Sequence, residues 1–378
     1  MKVGINARLL SSPDTRGWNR YAINLMLELQ KLNCELVLYT EFPIHNAHFD
    51  RLDQRLLAVR ESGPMLYLKW EQMWLPMTMR RDGLDVFHSP FHFGLPFWTS
   101  CPRVLTLHDA IGHRNGAKGP FRFAAFLTNI YEWIARSCAD QIVTVSEHAK
   151  LDLVEQLSMV PEKFTVVHNA ADPALAASDP GALEVLRKSH QIGDRFLFYV
   201  GGWEVRKNVD FLVKAFARAT ADDLCLVLAG AKPEEIARVR KLIVELGVST
   251  HVTLLGRISD VELAALYAGC HCFVYPSLAE GFGLQLCEAM LAGAPILSSD
   301  ATSLPEVLGG GGALFNATDV EELATLIRRV ASDEAFRQDL VRRSKQRSLH
   351  FGWDRTAAAT LQVYEMVATA AQSRAVAT

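Results

Sequence analysis

The residues best equipped for chemistry gather in one stretch, CFVYPSLAEGFGLQLCEAMLAGAPIL, from Cys272 to Leu297. An apolar strand should stop at Pro276. A helix should then run from the Gly281-Phe282-Gly283 turn to about Leu291, where Gly293 and Pro295 end it. Glycines at a helix start let the backbone approach a ligand closely. The unpaired N–H groups and the helix dipole there favour an anion such as phosphate. Glu280 sits beside that anion site and Glu288 lies further along the helix. Both carboxylates are hydrogen-bond acceptors suited to the hydroxyls of a sugar or a ribose. A solvated surface helix is the bland alternative, and the company of an acid, a Gly-x-Gly turn and an apolar helix weighs against it.

A second group lies in FYVGGWEVRKNVDFLVKAF, where a strand, the Gly201-Gly202 turn, Arg206, Lys207 and a helix follow one another. Two fixed cations at the carboxyl end of a strand can neutralise a departing diphosphate. A third is VLTLHDA, which places His108 and Asp109 at the end of an apolar strand.

These groups need a scaffold that brings strand ends together. Short apolar runs alternate with amphipathic stretches throughout, the pattern of βα units and a parallel sheet. In the first half strands are expected at Lys2–Ile5, Glu35–Tyr39, Val86–His88, Val104–Leu107, Gln141–Val145 and Phe164–Val167. In the second half they fall at Phe196–Val200, Cys225–Ala229, Val252–Leu255, Cys272–Tyr275, Pro295–Ser298 and Gly312–Phe315. Helices are expected at Arg20–Gln30, His148–Leu157 after a Ser146 cap, Val209–Ala219, and behind Asp260 and Asp319 caps. The run DPALAASDP, Asp172–Pro180, reads as the linker between two α/β domains. Open α/β sheets bind ligands beyond the carboxyl ends of their strands, so a site between the two domains is expected.

The Glu280-to-Glu288 stretch resembles glycosyltransferase family 4, whose E-x7-E motif it matches together with the EGFG start. The resemblance runs almost the full length of the chain. It implies an α/β chain of GT-B architecture, two Rossmann-like parallel-sheet domains facing across a cleft. The N-terminal domain, residues 1–170, would carry the acceptor, with a C-terminal helix, 355–378, packing back on it. Residues 171–354 would bind the sugar nucleotide. The family's first glutamate contacts donor-sugar hydroxyls, a role carried here to Glu280, and its second holds ribose, carried to Glu288. The backbone of Gly281, Phe282, Gly283 and Leu284 would face the donor. Gly201, Gly202, Arg206 and Lys207 fall where the family binds the diphosphate, and His108 where it places a histidine near the reacting centre. Arg257 and Ile258, in LLGRISD, match the base-binding turn. Gly17, in SSPDTRGWNRYA, matches the glycine-rich loop before the first helix, whose second glycine is replaced here by Trp18 or Asn19. The segment FHSPFHFGLPFW, with His88, is expected on the acceptor side together with Asp109.

The implied reaction is retaining transfer of a hexose from a nucleoside-diphosphate sugar to a glycan or lipid-linked hydroxyl. A leaving-group phosphate oxygen would take the acceptor proton on the same face. Likeness to bacterial mannosyltransferases makes GDP-mannose the first expectation, with a UDP-sugar open. No D-x-D motif is present, so no metal and no other cofactor is expected. A sugar-nucleotide 2-epimerase and a non-catalytic nucleotide-sugar binding module are the alternatives. A dehydrogenase is disfavoured because no G-x-G-x-x-G follows the first strand.

Composition narrows the partners. A formal net charge of −3 over 378 residues gives no basic surplus for nucleic acid. MKVGINARLL is not a secretory signal and no stretch is apolar enough to span a bilayer. Seven scattered cysteines fit a reducing compartment, so a cytoplasmic enzyme is expected. Cys270 and Cys272 read as two small residues on one strand, not as a metal pair. LYLKWEQMWLPMTMRR and FRFAAFLTNIYEWIAR mix aromatics with cations. Core helices with solvated ends is the preferred reading, and peripheral contact with the inner face of a membrane is the other.

Overall fold

Parallel strands covered on both faces need apolar side chains at every position, and the chain supplies them in runs such as ELVLYT, RFLFYV and LCLVLA. In the computed structural model these runs form two sheets. The structure describes residues 1–378 except 12–16, 45–48, 50–51, 58–67, 111–129, 131–132, 135–136, 220–222 and 378. The chain separates into two compact units, Met1–Asn169 with Trp353–Thr378, and Ala170–Gly352.

Unit 1 is built on a seven-stranded parallel sheet. Its strands are β1 (Lys2–Asn6), β2 (Glu35–Thr40), β3 (Asp53–Leu56), β4 (Val86–Ser89), β5 (Arg103–Leu107), β6 (Gln141–Thr144) and β7 (Phe164–Val166), in the order β3-β2-β1-β4-β5-β6-β7. Described helices of this unit include α1 (Gly17–Lys31), α2 (Leu75–Asp82) and α3 (Glu147–Leu157). A π-turn, Trp70–Trp74, leads into α2. Ser146 caps α3, its side chain accepting from the Ala149 N–H at 3.0 Å. Strand β3 has no sequence signal, since DQRL lacks apolar alternation. It exists as an edge strand paired to β2, with Arg55 anchored to Asp82 at 2.9 Å.

Unit 2 carries six parallel strands: β8 (Arg195–Val200), β9 (Leu224–Ala229), β10 (Val252–Leu254), β11 (Cys272–Tyr275), β12 (Ile296–Ser299) and β13 (Ala313–Phe315). Their order is β10-β9-β8-β11-β12-β13. Its helices are α4 (Pro180–His190), α5 (Val209–Ala219), α6 (Pro233–Glu245), α7 (Asp260–Gly269), α8 (Leu284–Leu291), α9 (Leu304–Leu308), α10 (Val320–Ser332) and α11 (Glu334–Ser348). Helix α5 buries Phe211, Leu212, Val213, Ala215 and Phe216 and packs on α10, which buries Leu323, Ile327 and Val330. Each large apolar side chain so covered contributes about 1.5–3 kcal/mol relative to exposure.

The last helix, α12 (Trp353–Ala377), belongs to unit 1. Trp353 packs against Tyr21, with ring centroids 5.9 Å apart, and Thr356 donates to the His168 carbonyl at 2.8 Å.

Three local readings are corrected. Asp172–Pro180 is not a linker: Asp172 caps a short 3-10 turn, Pro173–Ala176, that buries Leu175, and the units part at Asn169/Ala170. Ser259, not Asp260, caps α7, because Glu262 returns a bond to the Ser259 N–H and completes a capping box. Cys270 lies at the end of α7 and only Cys272 is on the strand; both are buried free thiols.

Candidate functional site

In both sheets the strand order reverses beside the first strand, and such a switch point opens a crevice at the carboxyl ends. In unit 2 it falls between β8 and β11, which are paired through Leu197 and Cys272. The loops leaving these two strands carry Gly201 to Lys207 and Pro276 to Gly283, so residues more than seventy positions apart become neighbours. The Leu278 N–H donates to the Arg206 carbonyl at 2.7 Å and ties the loops together.

A one-turn 3-10 helix, Val205–Lys207, closed by Asn208 at φ 58°, turns Lys207 inward. Its Nζ lies 2.6 Å from Glu280 Oε1 and 3.1 Å from the Tyr275 hydroxyl. Arg206 Nη1 donates to Glu280 Oε2 at 3.1 Å and to the Ala279 carbonyl at 3.3 Å. The Tyr275 hydroxyl lies 2.9 Å from Glu280 Oε1 and 2.8 Å from Gln285 Oε1, with one proton to give to either. The backbone of Glu280 is held as firmly. Its N–H donates to Thr302 Oγ1 at 3.0 Å, and its carbonyl accepts from Thr302 and Ser303 at 3.1 and 2.9 Å.

Burial pushes the Glu280 carboxyl up, but Lys207 and Arg206 outweigh it and hold the group below its usual range. Burial likewise pulls Arg206 down, and Glu280 with Glu204 more than restores it. Lys207 and Arg206 thus stand together against the Glu280 carboxylate, with Glu204 acting on Arg206 from the same loop.

Gly283 caps α8 at φ 93°, and a Cβ there would meet Leu304 at 2.5 Å, so only glycine fits. Phe282 is buried on Phe351, ring centroids 5.9 Å apart, and leaves its backbone to the turn. Gly281 is buried, and Leu284 opens α8. Glu288 lies on α8 with Oε2 2.8 Å from the Tyr267 hydroxyl; burial and then Glu288 push that phenol far above its usual value. Gly201 stands at φ 150°, and its carbonyl lies where a side chain on Gly230 would sit, so the chain passes Gly230 backbone to backbone. Gly202 accepts from the Tyr199 hydroxyl at 2.7 Å. Arg257 is exposed and Ile258 half-buried in the turn after β10.

In unit 1, His108 directly follows β5. Its Nε2 lies 3.2 Å from the Pro90 carbonyl and carries the proton that this bond needs, so Nδ1 is left as the acceptor. The His108 N–H donates to His92 Nε2 at 2.9 Å. His92 and His108 stack at 5.6 Å and 13°, and Trp18 stacks on His92 at 5.4 Å. Burial, and then His92, push the His108 imidazole down to about 3, so it is neutral near pH 7. Asp109 follows half-buried.

Two expectations change. His88 is fully buried, with Nδ1 2.6 Å from the Tyr364 hydroxyl and Nε2 2.8 Å from Thr106 Oγ1. It joins α12 to the sheet and presents no nitrogen to an acceptor. Gly17 is the exposed first residue of α1 with open space around it, and residues 12–16 before it lie outside the described residues. Tyr275, Gln285, Thr302 and Ser303 were missed, because neutral polar residues carry no distinctive spacing. A polar Tyr275 closing a β-strand was the one available signal.

Residues 184–347 match the sequence profile of glycosyl transferases group 1, and residues 15–175 that of Glycosyltransferase Family 4. The chain belongs to this family of glycosyltransferases. It is 32% identical over 263 residues to the serotype-specific mannosyltransferase WbdA of Escherichia coli, covering 67% of this chain and 32% of that protein. The chain thus spans about a third of the length of that relative. It is 28% identical over 325 residues to the E. coli O-antigen chain mannosyltransferase B, covering 83% of each. Among solved structures, sucrose-phosphate synthase from Thermosynechococcus elongatus aligns with a TM-score of 0.77 at 20% identity, over 98% of this chain and 99% of that one. Anabaena Alr3699/HepE in complex with UDP-glucose aligns at 0.74 and 18%, over 96% and 100%. These likenesses establish the architecture as GT-B, two Rossmann-like parallel-sheet units.

Proposed function

We propose that the enzyme transfers a hexose, mannose from GDP-mannose in the first instance, to a hydroxyl of a glycan or lipid-linked acceptor, with retention at the anomeric carbon. The observation that carries this reading is the buried Lys207–Glu280 pair, joined by the half-buried Arg206, at the β8/β11 switch point beside the start of α8. The relatives named for mannosyl transfer supply the sugar.

In this reading the bond from the anomeric carbon to the diphosphate breaks while the acceptor oxygen bonds to that carbon on the same face. The acceptor proton passes to an oxygen of the leaving phosphate. Lys207 and Arg206 meet the growing charge, and the first N–H groups of α8 meet it from the other side. Glu280, ion-paired on both oxygens, is a weak base and a weak nucleophile. It suits hydrogen bonding to sugar hydroxyls better than attack, which supports a route without a covalent intermediate. Glu288 takes the ribose hydroxyls, and neutral His108 accepts a sugar hydroxyl at Nδ1. With these cations in place the reaction needs no metal.

The lipid-linked class of acceptor has its own support. From Lys69 to Arg81 the exposed side chains are Lys69, Met73, Trp74, Met77, Arg80 and Arg81. Glu71 is buried and Asp82 is taken by Arg55 and Tyr39, so no carboxylate opposes an anionic surface there. Phe121, Phe123, Phe126, Tyr131, Arg122 and Arg136 of the second aromatic stretch lie outside the described residues. No helix among the described residues is long and apolar enough to cross a membrane.

The test is a thermal-shift panel of GDP-, UDP- and ADP-sugars, since a ligand that binds only the folded state raises the melting temperature. GDP-mannose should give the largest rise. No rise with any nucleotide sugar would remove the reading.

A further inference from the structure

The donor site does not account for all the concentrated positive charge in unit 2. A cavity of about 340 Å³ opens between the Gly309–Gly311 loop and the end of α11, lined by that loop with Arg342, Arg343, Gln346, Arg347 and His350. No carboxylate lines it. The sheet is parallel, the loop precedes β13, and Glu280 follows β11, so the two sites lie at opposite ends of the sheet.

Part of this cluster is structural. Helix α9 ends here and its last carbonyls need donors. Arg347 supplies Nε to the Val307 carbonyl at 3.0 Å and Nη2 to the Glu306 carbonyl at 2.8 Å. Arg343 Nη1 donates to the Gly312 and Gly310 carbonyls at 3.0 and 3.3 Å. Arg343 Nε also faces the Asp339 carboxylate at 2.9 Å. Among the described residues these contacts leave Arg343 Nη2 and Arg347 Nη1 without a protein hydrogen bond, on guanidinium planes already held in place. His350 Nδ1 lies 3.2 Å from the Arg347 carbonyl near the end of α11, and helix capping does not explain Arg342, which is exposed and pairs with Asp339 at 2.6 Å.

Guanidinium groups match the oxygens of a phosphate in pairs, and groups fixed beforehand lose little freedom on binding. The cavity is at the small end of ligand sites, fit for a metabolite and not for a polymer. We infer that this cavity binds a phosphate monoester, with Arg342, Arg343 and Arg347 on the phosphate and Gln346 and His350 on the hydroxyls of the group that carries it.

The full-length protein is titrated calorimetrically with inorganic phosphate and with a hexose 6-phosphate at low salt. In parallel it is floated with vesicles containing phosphatidic acid. One equivalent of phosphate or hexose phosphate should bind, and Arg342→Ala should weaken it at least tenfold. Arg342 caps no helix, so this variant keeps the fold, and a melting temperature equal to wild type verifies it. Lys207→Ala should leave the affinity unchanged, which separates this site from the diphosphate site. Flotation that Arg342→Ala abolishes, without binding of the soluble phosphates, would place the same monoester on a lipid headgroup. No binding in any arm, or binding lost in Lys207→Ala and kept in Arg342→Ala, overturns the inference.

Discussion

Lys207 Nζ sits 2.6 Å from Glu280 Oε1, with both side chains nine-tenths buried or more. The two residues meet because β8 and β11 are neighbours in the sheet. Taking two charges out of water is costly, and their attraction offsets that cost only where further hydrogen bonds complete the geometry. Tyr275, Arg206, Thr302 and Ser303 supply them. Such a network holds a cation in place before any substrate arrives, so no reorganisation is needed as charge develops.

Glu288→Ala should weaken nucleoside diphosphate binding and leave the fold intact. Losing a hydrogen bond to a charged group costs about 1.5–3 kcal/mol, roughly tenfold to more than a hundredfold in affinity. Tyr267→Phe removes only the phenol that orients Glu288 and should cost less. Calorimetry with the diphosphate measures both, and an unchanged Glu288→Ala affinity would remove the ribose assignment.

Charged residues at strand ends were legible, and so were most strands, because burial on both faces leaves continuous apolar runs. Lys207, Glu280 and Glu288 stand out by charge in apolar company. What could not be read was which polar groups the fold brings to them. Thr302 and Ser303 reach Glu280 only because β12 lies beside β11. His88 shows the opposite error. A histidine at a strand end looks the same in sequence whether it opens to solvent or lies under a later helix. Tyr364, 276 positions on, covers it.

Activity should survive excess chelator. The reasoning is electrostatic: Lys207, Arg206 and the start of α8 already meet the diphosphate charge. Initial rates with and without EDTA decide it. Complete loss, restored by manganese or magnesium, would show that a cation does what Lys207 is assigned to do.

Unit 1 should lose stability as the pH falls below about 6.5, where a free histidine protonates. Burial, then His108, push His88 down to about 3, and burial, then His92, do the same to His108. Between these values the unfolded chain binds protons that the folded chain refuses, so stability is fully present above the window and lost within it. The slope is about 1.4 kcal/mol per pH unit for each imidazole at most. Six of the seven tryptophans lie in unit 1, so urea unfolding followed by their fluorescence reports on it. His88→Asn should flatten the dependence, and an unchanged slope would mean that His88 does not titrate as its burial requires.

Lys207→Ala should lower turnover about a hundredfold or more, comparable to losing one oxyanion donor. Departure of the diphosphate places growing negative charge on the β-phosphate, so a cation fixed beside it acts more on the transition state than on the ground state. The effect should therefore appear in kcat more than in KM. Lys207→Arg should recover only part, since a planar fork does not replace a compact ammonium held against Tyr275 and Glu280. The buried pair adds a complication, because removing Lys207 leaves Glu280 with Arg206 as its only cation. Two controls separate loss of catalysis from loss of structure. The melting temperature of Lys207→Ala shows whether the unit still folds. The double variant Lys207→Met with Glu280→Gln removes both charges together, and breaking neither partner alone should keep the site folded. If the double variant is as stable as wild type and falls below Glu280→Gln alone by about the factor that Lys207→Ala costs, the ammonium acts on the reaction itself. A folded Lys207→Ala enzyme within a few-fold of wild-type turnover would mean that Lys207 serves only to neutralise Glu280, and stabilisation of the leaving group would pass to Arg206 and the start of α8.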